Sequence, residues 1–92
     1  MKYQIEITQA DIDLIPPQHC TVQTCPAARA ISRATGKPAV VYDAVFAIYG
    51  SLHLVESPWI MSNFVKSFDE GRPVSPLSFM VDMPGAERET YR

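Results

Sequence analysis

The sequence has few of the features that membrane segments and disulfide-stapled domains require. Two cysteines in 92 residues are too few for the disulfide framework of a small secreted protein. The longest apolar run, Ala44 to Tyr49, is far shorter than the roughly 18 residues that a membrane-spanning helix needs. The stretch from Met1 to Gln4 lacks the apolar region of a signal peptide. These absences predict a cytoplasmic protein whose two thiols are free.

Basic charge and glycine are also sparse, and each shortage excludes a class of function. The formal net charge of −2 lacks the basic excess that broad adhesion to nucleic acid requires. The 4 glycines stand singly, so the chain has no glycine-rich loop to cradle a phosphate. We interpret two acidic pairs, Asp11 with Asp13 and Asp69 with Glu70, as solvated helix ends. No acid is positioned to orient a histidine beside a nucleophile, so we expect neither an enzyme nor a cofactor.

Along the chain, segments with a strand pattern alternate with segments with a helix pattern. Polar and apolar side chains alternate over residues 2–8, which predicts a half-buried strand. Thr8 and Asp11 have the spacing of a capping box and predict a short helical turn. Three apolar segments predict an antiparallel meander, with a two-residue hairpin at Gly50 and Ser51. We expect the meander strands at 39–42, 45–49 and 52–55, and a last strand at 77–82.

A first main helix is marked by strong start and stop signals. Thr24 can cap the helix, Pro26 suits its first turn, and Gly36 allows a left-handed exit. The side chains on its inner face are small, so the helix can approach a sheet closely. Four residues at helical spacing form that face: Ala27, Ala30, Ile31 and Ala34.

The outer face of this helix is basic. Arg29 and Arg33 lie one turn apart, and Lys37 follows just beyond the helix end. We expect these three side chains to be exposed as a basic stripe that meets an acidic protein face or nucleic-acid phosphates. The alternative is an ordinary solvated helix face.

A second main helix is predicted over roughly 58–69, between Ser57-Pro58 and Gly71. Trp59 falls opposite its apolar face, with Asn63 and Lys66 among its neighbours. A tryptophan in this place is either an interface anchor or a cover for the edge of the core. The apolar face consists of Ile60, Met61, Phe64, Val65 and Phe68, and we expect a core that includes Ile5, Ile31, Phe64, Phe68 and Phe79.

Together these patterns predict one small α+β domain. Its antiparallel sheet, made of the meander with the N- and C-terminal strands, packs against the two main helices. The domain is expected to span residues 1–83. Residues 84–92 have little to bury and are predicted to form a mobile tail.

The cysteines and histidines raise a second hypothesis. His19, Cys20, Cys25 and His53 would supply a Cys₂His₂ set, the ligand type of a structural zinc site. Their spacing fits no familiar zinc module, so we assign no metal ligands. Cys25 also stands at a helix start, where the helix dipole can lower the pKa of a thiol. A small zinc- or thiol-dependent regulatory domain is therefore the alternative function.

Three segments resemble a group of small bacteriophage and prophage proteins. They are Ile-Thr-Gln-Ala-Asp-Ile at 7–12, Cys-Pro-Ala-Ala-Arg-Ala-Ile at 25–31, and the segment from Phe64 to Phe79. The resemblance covers most of residues 5–81 and implies a phage origin without assigning a reaction. Members often carry Cys-x-x-Cys-Pro before the helix, whereas four residues separate Cys20 from Cys25 here, which weakens any shared metal site.

The resemblance and the absence of catalytic groups lead to one functional expectation. We expect a phage-encoded, non-enzymatic binding protein that acts in the host cytoplasm and inhibits a defence complex, as anti-CRISPR proteins do. Its partner would be a host protein or ribonucleoprotein, such as a CRISPR effector with its RNA, and neither a membrane nor a small-molecule substrate. The residues expected to bind that partner are Arg29, Arg33, Lys37, Trp59, Asn63 and Lys66.

Overall fold

Two antiparallel sheets and three α-helices make up the part of the chain that the computed structural model describes, residues 2–42, 45–49 and 54–82. The elements in chain order are β1 (Lys2–Ile7), α1 (Gln9–Leu14), a 3₁₀ turn (Pro17–His19), α2 (Pro26–Thr35), β2 (Ala39–Tyr42), β3 (Val45–Ile48), β4 (Val55–Glu56), α3 (Trp59–Asp69) and β5 (Leu77–Asp82).

The predicted α+β class is confirmed, with its strands divided between two sheets. β1 pairs with β5 along its whole length, from Lys2 opposite Asp82 to Ile7 opposite Leu77. β2, β3 and β4 form the predicted antiparallel meander. Within the described residues the terminal strands pair only with each other, so they form a separate ribbon beside the meander rather than extending it.

The core lies where α2 packs against both sheets. α2 contacts β1 and β2, and its inner face of Ala27, Ala30 and Ile31 is buried as predicted. Small side chains allow this close approach, because each alanine adds only one carbon beyond the helix backbone. Of the predicted core residues, Ile5, Ile31, Phe64 and Phe68 are buried and Phe79 is half-buried against them.

The caps of α2 differ from the prediction at one end. Cys25, not Thr24, is the N-cap, and its Sγ accepts a hydrogen bond from the Ala28 N–H at 3.4 Å. The cap falls here because Pro26 takes the first helical position, where no N–H donor is needed. At the other end Gly36 adopts the predicted left-handed conformation, with φ of 76°.

α3 covers Trp59–Asp69, in agreement with the predicted span of roughly 58–69, but its start carries no side-chain cap. Its N-cap is Pro58, which offers no side-chain hydrogen bond, and Ser57 stands one position too early to cap the helix. Met61, Phe64, Val65 and Phe68 form the buried face, whereas the predicted Ile60 is exposed. Ile60 lies at the margin of that stripe, on the first helical turn.

Several predictions fall on the undescribed part of the chain. The hairpin at Gly50 and Ser51, the first two residues of the strand expected at 52–55, and the tail at 84–92 lie outside the described residues. The described strand in this region, β4, comprises Val55 and Glu56. Among the helices that the structure describes, none has the length and apolar character needed to cross a membrane.

Phe46 provides a test of this core. It is fully buried, with 0% of its surface exposed. We expect Phe46→Ala to lower the free energy of unfolding by about 3–5 kcal/mol, because the substitution leaves a cavity between sheet and helices. Urea denaturation followed by circular dichroism measures the change. Tyr49→Ala, at a neighbouring but exposed aromatic, is the control and should change stability by less than about 0.5 kcal/mol; equal losses would contradict this core.

Candidate functional site

Asp11 is the charged residue that is buried in the described part of the structure. The Thr8 hydroxyl accepts a hydrogen bond from the Asp11 N–H at 3.1 Å, and the Thr8 N–H donates to Asp11 Oδ2 at 3.0 Å. This is the predicted capping box, with aspartate in the place of glutamate. Asp11 is nevertheless only 4% exposed, so its prediction as a solvated helix end is wrong.

The two arginines of α2 bind this carboxylate and the backbone around it. Arg33 donates to Asp11 Oδ2 at 2.7 Å and to Oδ1 at 3.1 Å, a fork-like contact. Arg29 donates to the Asp11 carbonyl at 2.8 Å, with a longer contact to Oδ1 at 3.4 Å. Arg29 also donates to the Thr24 carbonyl, and Arg33 to that of Glu6. We call these three side chains, Asp11, Arg29 and Arg33, the α1–α2 clamp.

The clamp changes the acidity of Asp11. Burial by itself raises the pKa of a carboxyl group. Here hydrogen bonds from Arg33 and Thr8 favour the charged form more strongly, and they lower the pKa of Asp11 from 3.8 to about 2. Asp11 is therefore an ionised structural group at neutral pH.

The predicted basic stripe is not a free cationic surface. The Arg29 side chain is only 20% exposed, which contradicts the expectation that it faces solvent. Arg33 is more exposed, but both of its terminal nitrogens donate to protein oxygens. Lys37 is half-buried just beyond α2. The spacing of the arginines on α2 positions them over α1 because the two helices pack together.

The thiols lie together in a second region, but their chemistry differs from the prediction. Cys20 and Cys25 line one cleft with Tyr42 and Asp69. Burial raises the pKa of both thiols, so the expected lowering at Cys25 is wrong. His19 is exposed. Within the described residues no group of three His, Cys, Asp or Glu side chains could hold a metal ion; His53 lies outside those residues, and the zinc hypothesis stays a prediction.

The outer face of α3 carries the remaining predicted residues. Trp59, Asn63 and Lys66 are all exposed and follow one another at intervals of four and three residues. Such spacing aligns them along one side of the helix. Trp59 is 79% exposed, so the structure places it on the surface and not over the core.

An open groove of about 530 Å³ lies at the start of α3. Its walls come from β4, β5 and the first turn of α3. Trp59 stands at this groove, and Met80, 53% exposed, lines it from β5. The full lining is Val55, Glu56, Ser57, Pro58, Trp59, Ser62, Met80, Val81 and Asp82.

Ser57 gives this groove a polar feature. It is 9% exposed, and its Oγ is the buried side-chain oxygen without a hydrogen-bond partner among the described residues. A buried hydroxyl usually has a partner.

The sequence did not predict that Glu56, Ser57 and Met80 line one groove. Met80 is distant along the chain from the other two, and only the tertiary structure brings β4 and β5 together. The one available signal was the strand alternation, which places Met80 on the exposed side of β5.

Comparison with known proteins adds no relative: no family model, curated protein or solved structure matches this chain.

A double-mutant cycle tests the α1–α2 clamp. We expect Asp11→Ala and Arg33→Ala each to destabilise the fold and to be coupled by about 1–2 kcal/mol, because the pair is charged and only partly exposed. Urea denaturation of the four proteins measures the coupling. Asp13→Ala with Arg33→Ala is the control cycle, since Asp13 is exposed on the same helix and should be additive. A coupling near zero in both cycles would contradict the clamp.

The lowered pKa of Asp11 predicts a specific acid sensitivity. A carboxyl whose folded pKa is below its unfolded value stabilises the fold above the unfolded pKa and loses this effect as the pH falls through the folded pKa. We therefore expect the stability difference between the wild type and Asp11→Asn to shrink as the pH falls from about 4 toward 2. Denaturation curves across this range measure it. A difference that stays constant down to pH 2 would contradict the assignment.

Proposed function

We propose that this protein is a non-enzymatic binding protein that docks on its partner through the outer face of α3. The observation that carries the proposal is Trp59, the single tryptophan of the chain, which is largely exposed at the start of this helix. Tryptophan is rarely left in water on a small domain, and it is enriched among the residues that dominate binding energy at interfaces.

The surroundings of Trp59 support an interface. Ile60 and Met80 are exposed large apolar side chains in the same region, and grouped exposed apolar surface marks interaction sites in soluble proteins. Asn63 and Lys66 continue along the helix and provide a polar rim. The arginines of α2 are bound to α1 and to the backbone of neighbouring segments, and they are not part of this surface.

The partner that we propose is a host defence complex, with a CRISPR effector as the leading case. The resemblance to phage proteins supports this target. An exposed helix face can occupy a groove on the effector, and one bound copy per effector would then be enough to inhibit it. A protein surface fits this helix better than RNA does, because the exposed face combines an aromatic anchor with one lysine rather than a row of arginines.

A plaque assay tests this function. We expect the protein to restore plaques of a CRISPR-targeted phage in at least one strain of a panel with different effector types. Trp59→Ala should lose this protection because it removes the anchor. Titration against the purified effector of that strain should show a loss of more than about 1 kcal/mol in binding free energy.

Tyr49→Ala is the matched control, because Tyr49 is an equally exposed aromatic, at 75%, that lies outside α3. This variant should protect phage as the wild type does. Circular dichroism must show that both variants keep the fold. No protection in any strain would contradict the defence target, and full protection by Trp59→Ala would contradict docking through α3.

A further inference from the structure

The groove at the start of α3 is lined by one strand from each of the two sheets. β4 is the last strand of the meander and β5 is the second strand of the terminal ribbon. Both contribute to the groove lining. Within the described residues neither strand has a second strand partner. Such edges present backbone N–H and C=O groups to an incoming extended chain, the arrangement that β-strand addition uses.

The side chains of the groove favour a positively charged occupant. Its charged lining residues are both acidic, Glu56 and Asp82, and the described lining contains no lysine or arginine. The start of α3 carries a partial charge of only about +0.5 from the helix dipole. The full negative charge of Glu56, which is exposed at the groove, outweighs this partial charge and favours a cation.

Trp59 adds a second preference for a cation. An exposed indole face attracts guanidinium and ammonium groups, and tryptophan is the most effective aromatic side chain in this contact. Glu56 is exposed three residues before Trp59 and lines the same groove. Met80 and Val55 provide apolar walls beside them. A long basic side chain satisfies all of these groups, since its stem is apolar and its head is charged.

We infer that this groove binds an extended peptide segment of the partner that carries an arginine or lysine. The basic head pairs with Glu56 and lies against Trp59, and the peptide backbone aligns along the edge of β4 or β5. The Ser57 hydroxyl, buried at the groove and lacking a partner, is positioned beside this path. This inference rests on the proposed function, because it names the chemistry that the α3 surface recognises.

Peptide titration tests the inference without the host effector. The probes are fluorescent, acetylated hexapeptides of Val, Ser and Thr that differ only at one central residue, which is Arg, Lys, Gln or Glu. We expect the Arg and Lys peptides to bind about fivefold more tightly than the Gln peptide, and the Glu peptide to bind most weakly. Trp59→Ala should remove the preference for Arg and Lys over Gln.

A charge reversal makes the test specific to the groove. Glu56→Lys should reverse the order, so that the Glu peptide binds more tightly than the Arg peptide. The control is Glu70→Lys, a reversal of another exposed acid beyond the far end of α3, which should leave the order unchanged. Circular dichroism confirms that each variant is folded.

Four results would overturn the inference. The first two are no binding of the Arg peptide at millimolar concentration and equal binding of all four peptides. The third is the same order of peptide affinities in the wild type and in Glu56→Lys. The fourth is a dimer of the protein that Trp59→Ala dissociates. The last result would assign the groove to a second copy of the chain. Since these titrations contain no effector, their failure leaves the plaque assay valid, and a negative plaque assay leaves the peptide preference valid.

Discussion

The Asp11 carboxylate is the contact on which the arrangement of the helices depends. Its Oδ2 accepts a hydrogen bond from the Thr8 N–H, which completes the cap of α1, and another from the guanidinium of Arg33 on α2. Arg33 also reaches the Glu6 carbonyl of β1, so one ionic cluster joins β1, α1 and α2. A buried carboxylate without partners would cost several kcal/mol. In this cluster both oxygens of the carboxylate accept hydrogen bonds, and these contacts join α1 to α2.

This constraint determines which surface is left for recognition. The inner face of α2 is covered by the sheets, and the arginines of its outer face are bound to α1. A partner that recruited these guanidinium groups would have to break contacts that hold the fold together. Reversal of Arg29 and Arg33 would therefore test stability rather than binding. Recognition is best sought on α3, whose outer face makes no comparable contact with the rest of the described chain.

Local patterns predicted most of the fold, and long-range contacts explain the errors. The β1 alternation, the capping box at Thr8 and the exit at Gly36 depend on neighbouring residues, and all three are found as predicted. The partner of Arg33 is 22 positions away along the chain, and no local pattern reveals it. The groove at Trp59 similarly requires β5 to lie near β4. Helix periodicity alone predicts that Trp59 lies off the apolar face of α3. The position of Met80 beside Trp59, in contrast, follows only from the tertiary structure.

If the proposed function holds, the distribution of charge on the described surface favours a protein partner over nucleic acid. Phosphate recognition depends on free guanidinium forks and ammonium groups. Arg29 and Arg33 are bound to Asp11, and Arg72 lies 3.1 Å from Glu70. The exposed α3 region offers instead an indole, apolar side chains and a groove lined by the exposed carboxylate of Glu56. Under the proposed function, this surface would suit a basic protein segment, and the carboxylate of Glu56 in the same groove as Trp59 would repel nucleic acid. A ribonucleoprotein target would thus be bound through its protein component.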